Sequence, residues 1–182
     1  MGSLAVVVRC IEQLNEWVGR VASWLVLLVV LNAFSVAVLR YGFSRGWIWF
    51  QESYVWMHAI VFLTCSGYTM LHEGHVRIDV IYGSVSTRTK AWINLFGTVF
   101  FLLPMLAAIT LASFPYVQLS WERLEGSQQA GGLPGVFLLK SFILAFVLLV
   151  GLQGVALALR SVMVLAGHPE WDPRAANDEA AS

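Results

Sequence analysis

The chain has 182 residues, of which 58% are hydrophobic and 12% charged, where an ordinary soluble domain carries about 25% charged residues. Lys and Arg number 11 and so do Asp and Glu, and the basic residues are scattered, which excludes a nucleic-acid footprint and a polybasic lipid-binding cluster. With a mean hydropathy of +0.72 and apolar blocks too long for a soluble core of this size, the solvent the chain requires is lipid.

The opening MGSLAVVVRC has no basic region ahead of an apolar run and no small-residue cleavage site, so no removable signal peptide is expected. Leu4, Val7, Val8, Ile11, Leu14 and Trp17 then recur at helical spacing, with Arg9, Glu12, Gln13, Glu16 and Arg20 mostly opposite. The segment is too charged to span and reads as an amphipathic helix in the interface, the alternative being direct continuation into the first span. Glu16 and Arg20 stand at the favourable i,i+4 spacing.

A hydrocarbon core about 30 Å thick needs roughly 20 apolar residues in a helix. Four uncharged windows meet this, at 21–39, 53–71, 91–121 and 141–159. Each is expected to be helical, because unpaired backbone amides are not tolerated in lipid and alternating barrel strands are absent. The fold class is therefore an all-α membrane protein of four transmembrane helices preceded by an amphipathic interfacial helix. The organisation is an N-terminal segment 1–20, a four-helix domain 21–166 and a polar tail 167–182.

The third window is too long for one bilayer and must tilt, kink or protrude, with Pro104 the candidate bend and Pro115 the candidate exit. Trp92 and Trp121 are spaced like two aromatic belts, although each also fits simple packing. With both termini inside, Arg9, Arg20, Arg77, Arg88, Lys90, Arg160 and Arg174 are cytoplasmic and Arg40, Arg45, Arg123 and Lys140 external, which satisfies the positive-inside rule. Cys10 and Cys65 fall at different depths in this arrangement, which argues against a disulfide. The tail has two prolines, several charges and little to bury, so mobility is expected there.

Polar residues gather at the two borders of the second span. Arg40 closes the first span and Glu52 opens the second, and a short hairpin brings them to one depth, where they pair or snorkel separately, with Gln51 close by. At the other border His72, Glu73, His75, Arg77 and Asp79 crowd together. Gly74 interrupts the helical spacing of the histidines and no second cluster supplies further ligands, so solvated charge or partner docking is the better reading than a metal site.

His58 and His72 stand fourteen residues apart, as in some two-haem bundles. The chain lacks facing histidines to complete axial pairs, which argues against haem. His58 is expected to be a buried polar side chain bonded to a neighbouring helix, with Asn32, Ser35, Asn94 and Gln153 the available types. The spans carry no carboxylate, Lys or Arg away from their ends, and the two halves do not form an inverted repeat, unlike ion-coupled carriers. Ser66-Gly67 and the Gly151/Gly154 pair read as packing surfaces. The external loop WERLEGSQQAGGLPG reads as a binding surface with Glu122, Arg123 and Glu125 as charged handles, or as a plain flexible connection.

Several stretches together resemble the small membrane subunit of tripartite ATP-independent periplasmic (TRAP) transporters. They are the Arg40 to Glu52 segment with Trp47, then Trp56, the GHVRIDV run at 74–80 followed by Arg88, and the last span ending in LALR at 157–160. The run WERLEGSQQAGGLPGVFLLK with Gln153 further resembles the mannitol/chloroaromatic or carboxylate branch. The resemblance implies a non-catalytic subunit of the bacterial inner membrane that packs against a large membrane subunit. A periplasmic solute-binding protein would deliver an organic acid, and the large subunit would hold the sodium and substrate sites, so no cofactor, metal or catalytic residue is carried over. It makes Arg40, Trp47, Gln51, Glu52, Trp56, His75, Arg77, Asp79 and Glu122 candidates for the partner interface. The rival readings are a membrane anchor for a redox enzyme and a small self-sufficient carrier.

Overall fold

The computed structural model describes residues 2–74, 85–168 and 171. Four long helices account for nearly all of them: α1 (Gly2–Gly42), α2 (Ile48–Leu71), α3 (Thr87–Glu122) and α4 (Val136–Leu165). All four are long and apolar enough to cross a membrane. α4 is the hub and packs on each of the other three, while α1 and α2 form an antiparallel hairpin against it. Its buried positions, Leu149, Val150, Gln153, Gly154, Ala156, Ser161, Met163 and Val164, outnumber those of α2, where Gly67 is the buried residue.

Small residues set the closeness of this packing. A Cβ on Gly154 would lie 2.7 Å from Leu102 Cδ2 of α3, and one on Gly67 would lie 2.2 Å from Asn15 Oδ1 of α1. Both glycines are the packing surfaces expected of them, for in a bilayer tight van der Waals approach replaces the hydrophobic drive between helices.

The amphipathic N-terminal segment continues into the first span without a break, as one helix of 41 residues. At 1.5 Å per residue that is about 60 Å, twice a hydrocarbon core, so the helix runs well past the 21–39 window. One face of the early turns packs on the end of α4. Val8, Ala156 and Met163 form a buried cluster there, with Ile11, Leu159 and Trp171 against it. Trp171 of the tail thus has apolar surface to cover, with the Arg9 guanidinium 5.9 Å from its ring centre. The rest of the tail lies outside the described residues.

Where the proline predicts a bend, α3 carries a feature the sequence did not advertise. Residues Thr98–Leu102 form a π-helical turn, and the Leu103 amide donates to the Thr98 carbonyl five residues back. Pro104 follows at once and has no amide to return to the preceding turn, so the wider turn ends the register where the proline would have broken it. Thr98 is buried, and Thr98 and Leu102 face Gly154 of α4.

Candidate partner interface

At one end of the bundle, Glu52 reaches from the first turns of α2 to the loop between α3 and α4. Its Oε1 accepts from Ser127 Oγ, and its Oε2 accepts from the Leu133 amide at 2.7 Å. The loop closes on itself as well. Gly126 and Pro134 form an antiparallel bridge, and the Ser127 amide donates to the Leu133 carbonyl at 3.0 Å. A Cβ on Gly132 would sit 2.7 Å from Glu52 Oε2 and 2.4 Å from Ser127 Oγ, so only glycine admits the carboxylate. The loop is an ordered platform rather than a plain flexible connection.

A second carboxylate ties the loop to α4. Glu125 accepts from Ser120 Oγ at 2.7 Å and from Lys140 Nζ at 2.5 Å. Lys140 and the Ser120 hydroxyl together hold the Glu125 carboxyl below the usual carboxylate range. Lys140 Nζ also lies 3.8 Å from the Tyr116 ring centre, and Trp121 Nε1 donates to Ser141 Oγ at 2.8 Å. Glu122 is exposed and accepts from Gln118 one turn earlier on the same helix.

Of the two arrangements open to Arg40 and Glu52, the ion pair is not formed. Asn32 Nδ2 donates to Ser53 Oγ at 2.7 Å, which fixes the α1–α2 register. That register leaves Arg40 eight residues, about 12 Å, beyond the level of Ser53, while Glu52 is taken by the loop. Arg40 instead lines an open groove of about 390 Å³ with Ser44, Arg45, Trp47, Phe50 and Gln51. Trp56 lies 4.0 Å from the position of a Cβ on Gly135 at the start of α4. The structure thus divides the predicted set, with Arg40, Trp47 and Gln51 in the groove and Glu52 and Trp56 under the loop.

At the opposite end, His75, Arg77 and Asp79 lie outside the described residues. His72 Nε2 is 2.7 Å from Glu16 Oε2, and Glu16 Oε1 accepts from Arg20 at 2.8 Å, so the predicted i,i+4 pair extends to α2. Among the described residues no three His, Cys, Asp or Glu side chains converge on one point.

Two contacts escaped the sequence reading. Arg160 Nη2 donates to Glu12 Oε2 at 2.7 Å while Nε lies 2.6 Å from Oε1 in poorer geometry, the side chains being 18% and 14% exposed. Asn15 is fully buried and donates to Gln153 Oε1 at 3.0 Å, with its Oδ1 over Gly67. The available signal was spacing. Glu12 and Asn15 are three apart and Gln153 and Arg160 seven apart, so each helix carries a two-residue polar stripe on one face.

His58 departs from expectation. It is exposed, and it makes no hydrogen bond or ion pair among the described residues. Of its expected partners, Asn32 is bonded to Ser53 and Gln153 to Asn15. Nine residues at about 100° each set His58 half a turn round α2 from Gly67, which faces α1 and α4.

Four packed helices, each long and apolar enough to cross a membrane, with polar side chains that hold helices and a loop together, define a multi-pass membrane protein. The chain matches the family model described as Tripartite ATP-independent periplasmic transporters, DctQ component, over residues 25–168, and it belongs to that family. It is accordingly a non-catalytic transporter component, the small permease subunit. Neither a curated protein nor a solved structure gives a match.

Proposed function

We propose that this chain braces a large membrane subunit in the bilayer and presents part of the surface on which a periplasmic binding protein docks. The binding protein delivers an organic acid, and the large subunit moves it inward with sodium. The membrane is the bacterial inner membrane, with both termini cytoplasmic, so that the loop held by Glu52 faces the periplasm. The observation that carries this reading is the family match across residues 25–168. It displaces the redox-anchor alternative, and the ordered loop supports it, since a docking surface gains from being preorganised.

The test is affinity purification of the tagged chain in mild detergent after co-expression with its neighbouring genes. A large multi-span protein in stoichiometric amount supports the reading, and a redox subunit or no partner overturns it. Orientation is read from thiol labelling of intact cells. Gln129→Cys at the loop tip is expected to react with an impermeant reagent, while native Cys10 reacts only after the membrane is opened.

A further inference from the structure

An exposed apolar side chain in a membrane helix is in its proper solvent, but an exposed imidazole is not. His58 lies near the midpoint of α2, Ile48–Leu71. Its neutral ring carries one N–H donor and one acceptor in either tautomer, and hydrocarbon satisfies neither. The ring is also too short to reach water. Ser53 shares the depth of Asn32, well inside the first span, through their hydrogen bond, and His58 is five residues, about 7.5 Å, further along α2 from that level.

His58 is not isolated. Gln51, Val55, His58 and Phe62 recur at i, i+4, i+7 and i+11 and are all exposed, Val55 at 51% and Phe62 at 69%. They form one stripe on the side of α2 turned away from Gly67. At its outer end Gln51 lines the groove shared with Arg40 and Trp47, so the stripe is continuous with the border residues that are candidates for the partner interface. Between Ile93 and Phe114 the exposed residues of α3, Phe96, Phe100 and Leu111 among them, are by contrast all apolar and suit lipid.

We infer that the α2 face of Gln51, Val55, His58 and Phe62 receives a transmembrane helix of the large subunit, and that His58 hydrogen-bonds to a polar side chain on that helix. The inference rests on the small-subunit reading and specifies which surface performs it. Intramembrane imidazoles are satisfied by neighbouring helices, and the chain offers His58 no such neighbour among the described residues. The apolar residues before and after it supply the packing surface, and the polar one sets the register.

The test uses the co-expressed complex with a photo-crosslinking residue at Val55 or Phe62, and at Leu111 of α3 as the control. Adducts with the large subunit from 55 and 62 and none from 111 are expected. His58→Leu is expected to reduce recovery of the large subunit about three- to tenfold at equal yield of the tagged chain, with His58→Gln retaining most of it. If the wild type brings down the large subunit but the adducts come from 111 alone, or have the mass of two copies of this chain, the assigned face is wrong. Unchanged recovery with His58→Leu likewise removes the role of the imidazole. If the wild type recovers no large subunit, the small-subunit reading itself fails, which the crosslinks alone would not reveal.

Discussion

Glu12 near the start of the chain and Arg160 near its end form an ion pair, Nη2 to Oε2 at 2.7 Å, that closes α1 onto α4. Both are mostly removed from solvent, so removing one partner strands the other. Arg160→Leu is expected to cost about 2 kcal/mol, less than a fully buried pair because the site keeps some solvent. Replacing both with methionine is expected to cost less than either single change. Thermal unfolding of the detergent-solubilised wild type, single and double variants checks this, and additive losses would refute the pairing.

Less than one turn further along α1, Asn15, Gln153 and Gly67 bring three helices to one point. Gly67→Ala places a methyl 2.2 Å from Asn15 Oδ1 and 3.1 Å from the Leu149 carbonyl oxygen, so helices rather than a flexible tip must move. A loss of about 1–3 kcal/mol is expected, and more for Gly67→Val. Asn15→Ala in the Gly67→Ala background is expected to recover part of it. Equal stability of Gly67→Ala and wild type would show that the junction is loosely packed.

These contacts mark where sequence reasoning reached its limit. The four spans were legible because lipid forces a hydropathy pattern on every turn, and the glycines because bilayer helices need close approach. The pairing of polar residues was not. Arg40 and Glu52 are near in sequence, yet the register fixed by Asn32 and Ser53 keeps them at different depths, and Glu52 finds a loop 75 residues away. His58 was misplaced for a related reason. A polar residue in a span predicts a hydrogen bond but does not say whether the partner is in the same chain. The π turn before Pro104 was beyond reach, since a proline predicts a disturbance and packing against Gly154 selects its form.

The loop also carries a pH signature. Hydrogen bonds from Lys140 and Ser120 lower the Glu125 carboxyl from its ordinary 4.5. A depressed value in the folded state means the unfolded chain binds the proton first. The stabilisation is therefore complete above about pH 4.5 and is lost as pH falls through the lower folded value. Glu125→Gln is expected to lower the thermal midpoint near neutrality and to flatten its decline on the acid side. A variant that keeps the full acid loss would assign that loss to other carboxylates.

Glu52 holds the loop between α3 and α4 through Ser127 and Leu133. Glu52→Ala removes both acceptors, and the Leu133 amide and Ser127 hydroxyl are left to water. Hydrogen exchange across 126–134 is expected to rise at least tenfold, corresponding to about 1.4 kcal/mol of lost local protection. Gly132→Ala is expected to do the same without touching a charge, because its methyl would occupy the space of the carboxylate. If the loop is the docking platform, both variants weaken recovery of the periplasmic partner, whereas Glu170→Ala in the tail does not. Faster exchange with undiminished recovery would separate loop order from docking and move the docking surface to the groove of Arg40 and Trp47.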